Sequence, residues 1–248
     1  MIISIVNHKG GTGKTTTVVN LGVAFGALGK KVLLIDLDPQ GNLSYSLDIP
    51  SDSVGISEVF TGEKNIQESI IQKEGIDIIP SNMFLADIEL SLQSAEDRTN
   101  VLKKILDPIA NEYDYVLIDC PPSRSLLIIN ALVVSDAAIS TVLLDVLSIQ
   151  GLNHIYRTIA EVKSAFNSKL NFIGIVAVNA DIRKKISKEV IDFITDNFDI
   201  PIFNTYIRSN VKITEAPSHG ESVLGYAPTS NGAKDYLALA KELINVKA

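Results

Sequence analysis

The sequence predicts an α/β fold, a doubly wound, mainly parallel sheet of seven or eight strands with helices on both faces. Three observations carry the prediction. Seven short, apolar, β-branched runs recur along the 248 residues. Stretches with apolar residues three and four positions apart separate them, the spacing of crossover helices. The runs are apolar throughout rather than alternating, as strands covered on both faces are. A chain of this length with 46% hydrophobic residues can bury a full core, and one domain over residues 1–248 is expected.

In chain order, the first strand is Ile2–Val6 and the first helix carries Val18, Leu21, Phe25 and Leu28. Lys31–Ile35 is the second strand. Asp48 to Gly75 is the least regular part, where Gly62 and Gly75 punctuate a loop with one short helix over Ile66–Ile71. Ile76–Ile79 and Tyr115–Ile118 read as strands on either side of a helix bearing Val101, Leu102, Ile105 and Ile109. Leu126 to Val134 is the longest apolar run; Asn130 breaks it, and it falls short of the roughly 20 residues that span a bilayer. Ala137–Leu143, Phe172–Val178 and Ile202–Ile207 complete the strands. Tyr236, Leu237, Ala240, Leu243 and Ile244 mark a last helix packed on the sheet.

A net charge of −7 excludes a chain coated for nucleic acid, since backbone phosphates are bound by neutralising them with Lys and Arg. Any DNA contact must come from a local patch. The one cysteine, Cys120, excludes an internal disulfide and reads as a small buried filler. Met1-Ile2-Ile3-Ser4 lacks the start of a secretory signal, and together these predict a cytoplasmic protein. His8, His154 and His219 are too scattered for a metal site.

The most informative stretch follows the first strand: Lys9-Gly10-Gly11-Thr12-Gly13-Lys14-Thr15-Thr16, opening a helix. Glycines let successive N–H groups turn toward phosphate oxygens, and the helix N-terminus adds its positive end. Lys14 is placed to reach the β- and γ-phosphates of a nucleotide and Thr15 to offer a hydroxyl to Mg²⁺. The residue order departs from GxxxxGK[ST], because His8 stands where the first glycine would fall and Lys9 follows it.

That order resembles the deviant Walker A family of P-loop NTPases, which includes the partition ATPases (ParA, Soj), the division-site ATPase MinD and the nitrogenase iron protein. The resemblance runs from Ile2 to the closing helix with Gly232-Ala233-Lys234-Asp235-Tyr236-Leu237. It implies an ATPase using ATP and Mg²⁺, and a homodimer formed with ATP. It also implies that Lys9 reaches across the dimer to the partner's phosphates, as an arginine finger does.

Two carboxylates, Asp36 and Asp38, end the second strand in Asp36-Leu37-Asp38-Pro39-Gln40-Gly41-Asn42, where a doubly wound sheet places its ligand crevice. By resemblance Asp38 orients the water attacking the γ-phosphate, which makes Lys9, Lys14 and Asp38 the catalytic set. An ionised carboxylate suits that task because it only accepts hydrogen bonds. Asp-Pro sequences also form turns and caps, and for Asp36 both readings stand. Tyr115-Val116-Leu117-Ile118-Asp119 is an apolar strand ending in the Walker B acid, so Thr15, Asp38 and Asp119 make up the metal set. The Pro121-Pro122 that follows resembles the family's second switch.

The resemblance carries the base contacts to Asn179, Arg208 and Asn210. Arg208 and Ser209 depart from the signature Ile-Pro-Arg-Asn-Val-Arg, whose proline falls at Arg208. Arg183-Lys184-Lys185-Ile186-Ser187-Lys188 packs four basic residues into six positions, with Ile186, Val190, Phe193 and Ile194 as the buried stripe of the same helix. An ordinary solvated face reads equally well; the resemblance favours a DNA patch of Arg183, Lys184, Lys185 and Lys188, joined by Lys212. Such a patch suits non-specific double-stranded DNA, bound through phosphates without base readout.

The implied function is plasmid or chromosome partition on the nucleoid with a ParB-like centromere-binding partner. Positioning of a protein cargo by the same nucleoid binding is the alternative. A MinD-like membrane cycle needs a terminal amphipathic helix, and Leu243-Ile244-Asn245-Val246-Lys247-Ala248 is too short and weakly charged to be one, so no membrane partner is expected. Cys120 alone cannot ligate a bridging cluster, which sets aside an iron-protein role.

Overall fold

The computed structural model describes residues 1–246, so Lys247 and Ala248 of the terminal segment lie outside the described residues. A seven-stranded sheet forms the centre, in the order β3-β4-β2-β5-β1-β6-β7. Its strands are β1 (Ile2–Val6), β2 (Val32–Asp36), β3 (Ile71–Lys73), β4 (Ile76–Ile79), β5 (Tyr115–Asp119), β6 (Ala137–Leu143) and β7 (Asn171–Val178). All pairings are parallel except the β3–β4 hairpin. The helices are α1 (Lys14–Ala27), α2 (Asn42–Ser46), α3 (Ile56–Thr61), α4 (Leu85–Leu92), α5 (Val101–Leu106), α6 (Leu126–Val134), α7 (Val146–Ala165), α8 (Lys185–Asn197), α9 (Val211–Glu215), α10 (Val223–Tyr226) and α11 (Asn231–Ile244). No helix among the described residues is long and apolar enough to cross a membrane.

The strand period of two divides the core. Leu33, Ile35, Val116 and Ile118 join one buried cluster with residues of α3 through α8. Val32, Leu34 and Leu117 join the other, with Val18, Leu21 and Phe25 of α1 and Tyr236, Leu239 and Leu243 of α11. Both faces are therefore covered, which is why the strands read as unbroken apolar runs. Gly22 of α1 permits the closest approach: a Cβ there would stand 2.5 Å from Leu34 Cδ2.

Several expectations need correction. Ile202–Ile207 is not a strand; only isolated bridges join Ile202 to Ile175 and Arg208 to Ala180. The outer edge of this segment is held by side chains of α11, as Glu242 accepts the N–H groups of Asn204 (2.7 Å) and Thr205 (2.9 Å). The seventh strand is instead β3, three partly exposed residues too short to show a period. Asp48–Gly75 holds α3, a 3-10 turn at Ile66–Ser69 and then β3, in place of one short helix. The helix at Val101 ends at Leu106, because Pro108 has no N–H to continue it, and Ile109 is buried beyond its end. In α8 the buried line is Ser187, Val190 and Ile194; Ile186 and Phe193 are exposed, since only one narrow side of this edge helix meets the core.

Candidate functional site

The chain leaves β1 through α1 on one face of the sheet and leaves its neighbour β5 through α6 on the other, so the crevice opens at the C-terminal ends of these two strands. Val6 ends that strand and Asn7 turns the chain. The Asn7 amide donates to Thr141 O at 2.7 Å, and its carbonyl accepts the Lys9 N–H at 2.9 Å. Thr12, fully buried, donates from its hydroxyl to Lys9 O at 3.2 Å. The loop is thus tied at both sides, with Gly11 and Gly13 in the left-handed region at φ 72° and 76°. No side chain caps the start of α1, whose first amides are left for a ligand.

Lys14 is buried beside that helix start, and its ammonium donates to Lys9 O at 3.3 Å. Burial pushes its pKa below the ordinary lysine value, while Asp119 pulls the other way. Asp119 is fully buried, and among the described residues neither of its carboxylate oxygens has a hydrogen-bond partner. Its pKa is raised well above the ordinary carboxylate value by burial and then by Asp36, against the opposing influence of the Thr15 hydroxyl and Lys14. The register sets Asp36 and Asp119 side by side. The buried Asp119 carboxylate with its lone pairs unpaired among the described residues, beside the Thr15 hydroxyl and near the buried Asp38, fits a hard divalent cation.

The two acids of the Asp36–Asn42 stretch separate cleanly. Asp36 is fully buried and accepts from Ser44 N–H (3.1 Å), the Ser44 hydroxyl (2.9 Å) and Asp38 N–H (3.2 Å). Burial raises its pKa to about 6 against those bonds. It is a turn former that fixes the backbone of Asp38, the cap reading of this residue. Asp38 itself lines the phosphate end of the crevice with Lys14, Thr15, Gln40, Tyr45 and Pro122. Ser44, whose hydroxyl also accepts the Ser81 N–H at 3.1 Å, is a functional support the sequence reading passed over.

Beyond Gly11, Gly13 and Thr16 the crevice continues into a half-apolar cavity lined by Leu143, Val178, Ile207 and Tyr236. Asn179, Arg208 and Asn210 all face it. Their polar groups differ in freedom. Asn179, at φ 51°, is exposed, and its side chain makes no hydrogen bond among the described residues. Asn210 Oδ1 caps α9 by accepting Lys212 N–H at 2.9 Å, and Arg208 is bound to Asp235 through Nη2 at 2.6 Å. Arg208 Nε and Nη2 are therefore committed to Asp235, whereas Asn210 has given up an acceptor and keeps its amide N–H groups as donors.

Lys9 lies at the rim of the loop, its ammonium 3.6 Å from Asp145 Oδ1. Three of the five basic residues are neutralised by acidic neighbours. Arg183 pairs with Asp181 at 2.8 Å, Lys185 with Glu189 at 3.4 Å and Lys212 with Glu215 at 2.8 Å. Lys184 and Lys188 are exposed and make no ion pair among the described residues. Cys120 is buried and burial pushes its thiol up, which fits a filler.

Residues 1–172 match the family model described as an AAA domain. The chain is 38% identical over 246 residues to the sporulation initiation inhibitor protein Soj of Bacillus subtilis, covering 98% of this chain and 97% of that protein. It is 38% identical over 250 residues to the chromosome partitioning protein ParA of Caulobacter vibrioides, covering 98% and 94%. Among solved structures, cobyrinic acid a,c-diamide synthase of Mycobacterium smegmatis, with a bound ATP analogue and magnesium, superposes with a TM-score of 0.86 at 30% identity, over 98% of this chain and 93% of that one.

Proposed function

Because the chain belongs to the ParA and Soj family of partition ATPases, we propose that it is an ATP switch that dimerises around the nucleotide, binds DNA without sequence preference and partitions a plasmid or chromosome. The observation that carries this reading is the Asp119 carboxylate, buried and unpaired beside Lys14 and Thr15 at the start of α1. A protein keeps such a charge where a ligand completes it.

In this reading the amides of Gly10–Thr16 hold the phosphates and Lys14 neutralises the β- and γ-oxygens. Thr15, Asp38 and Asp119 surround Mg²⁺, which when bound offsets phosphate charge as a Lewis acid. Asp38, fixed through Asp36, orients the attacking water toward phosphorus. Lys9 serves the partner's nucleotide, so hydrolysis needs a dimer and ends in its separation. Asn179 offers both a donor and an acceptor to the adenine.

The DNA contact falls to Lys184 and Lys188, whose ammonium groups make no ion pair among the described residues, with Arg183, Lys185 and Lys212 contributing once their acidic partners release them. Dimerisation doubles this patch, which couples DNA affinity to ATP in a chain of net charge −7. A ParB-like centromere-binding protein stimulates hydrolysis and frees the DNA. The test is a gel shift of random-sequence duplex at low salt with ATP, with ADP, and with Lys14→Ala plus ATP. A shift confined to the first condition supports the reading. Identical behaviour in all three contradicts it.

A further inference from the structure

One wall of the base cavity is fixed by a contact that the phosphate chemistry does not use. The segment entering α9 pairs with β7 along its inner edge, as Ile207 N–H donates to Ala177 O and Ala180 N–H to Ile207 O, each at 2.9 Å. The next amide, Arg208 N–H, finds no strand; it donates to Asp235 Oδ2 at 3.0 Å. The same carboxylate accepts Arg208 Nε at 3.0 Å and Nη2 at 2.6 Å. Asp235 stands in α11 and is 7% exposed, immediately before Tyr236, which lines the cavity.

One carboxylate thus takes the main chain and the guanidinium of a single residue. A proline at position 208 needs no acceptor, since it lacks an N–H and fixes its own φ. An arginine there brings an edge amide and a flexible side chain, and Asp235 satisfies both. The consequence is geometric: Ile207, Arg208 and Asn210 cannot shift relative to Tyr236 without breaking charge-assisted bonds.

We propose that Asp235 is a positioning residue for the nucleotide base, holding the Arg208 wall of the cavity in place and so setting affinity at the base end of the site independently of the phosphate end. The inference depends on the nucleotide reading of the crevice given above. It assigns Asp235 no contact with the nucleotide; its effect passes through Arg208.

The experiment compares binding of ATP with binding of inorganic tripolyphosphate, which has the phosphates and no base, by calorimetry on the full chain. The parent binds ATP more tightly than tripolyphosphate. Asp235→Asn weakens ATP by about 10-fold, as the loosened wall must be ordered on binding, and leaves tripolyphosphate within about twofold. In turnover, KM for ATP rises while kcat stays within about twofold, because the base contact is uniform between ground and transition states. Asp235→Glu, which keeps a carboxylate, recovers part of the loss. Should Asp235→Asn fail to fold, Arg208→Ala, with the main-chain bond intact, weakens ATP alone by a smaller factor. The proposal is overturned if Asp235→Asn and Arg208→Ala bind ATP as the parent does. It is equally overturned if ATP and tripolyphosphate weaken together, the mark of a general loss of structure. A parent that binds neither ligand overturns the nucleotide reading itself, and the proposal with it.

Discussion

Lys9 and Asp145 form an ion pair across the mouth of the phosphate loop, Nζ to Oδ1 at 3.6 Å, and Asp145 also caps α7 by accepting Ser148 N–H at 2.8 Å. The lysine expected to serve a second chain is held within its own chain by the residue that starts α7. The two side chains are 32% and 45% exposed, so the pair is screened and contributes at most about 1 kcal/mol. It restrains Lys9 without locking it.

From this pair follows the first prediction. Asp145→Asn keeps the helix cap and removes the charge, so Lys9 is freed and the ATP-bound dimer tightens, by up to about fivefold for a pair of that strength. Dimer dissociation measured with ATP by fluorescence anisotropy checks it. A looser dimer in Asp145→Asn means that Asp145 belongs to the interface rather than to a restraint within the chain.

Asp119 gives a prediction about stability. Its native pKa is raised above the unfolded value by burial, so its cost is absent below the ordinary carboxylate range and grows as pH rises toward the native value. Asp119→Asn removes that cost. The nucleotide-free variant is therefore more stable than the parent at pH 7.5, by roughly 1–3 kcal/mol, and the gain shrinks at pH 4.5. The same variant loses Mg²⁺-dependent ATP hydrolysis. Urea unfolding at the two pH values decides; equal stabilities at both sink the argument that this carboxylate is an uncompensated buried charge.

The basic face is tested by salt. Lys184 and Lys188 alone give a dimer about four phosphate contacts, so DNA affinity falls at least about 100-fold between 50 and 200 mM salt, and more where Arg183, Lys185 and Lys212 join. Removing both ammonium groups with Lys184→Ala and Lys188→Ala flattens that dependence and leaves ATP hydrolysis without DNA unchanged. An unaltered salt slope places the DNA contact elsewhere on the surface.

The fold was legible where strands are buried on both faces, since an unbroken apolar run such as Val32 to Ile35, followed by a stretch of helical spacing, reads as a strand covered on both sides. The residues at 202–207 misled for a physical reason. Ile202, Phe203, Tyr206 and Ile207 are apolar, and Phe203 and Ile207 do donate to Ile175 O and Ala177 O of β7, but Glu242 of α11 takes the intervening amides of Asn204 and Thr205, so the pairing is not continuous. β3 has only three residues, fewer than any periodicity needs. At the site, the glycine loop, Lys14 and the two strand-end acids were readable because their spacing is local. Assigning Asp36 to Ser44, Arg208 to Asp235 and Lys212 to Glu215 was not. Those partners lie 8, 27 and 3 residues away, and sequence alone shows a charged residue without showing which neighbour neutralises it. Ser44 and Asn7 left no signal beyond being small polar residues next to a motif.

In the proposed cycle ATP makes a dimer whose hydrolysis ends it. Sedimentation velocity of Asp38→Ala with Mg²⁺ tests it most directly, since loss of the water-orienting carboxylate slows hydrolysis by about 100-fold or more and holds the ATP state. The expected result is a dimer with ATP, a monomer with ADP, and a monomer with ATP once Lys9→Ala is added, with nucleotide affinity retained. Asp38→Ala remaining monomeric with ATP, or dimerising equally well without Lys9, contradicts it.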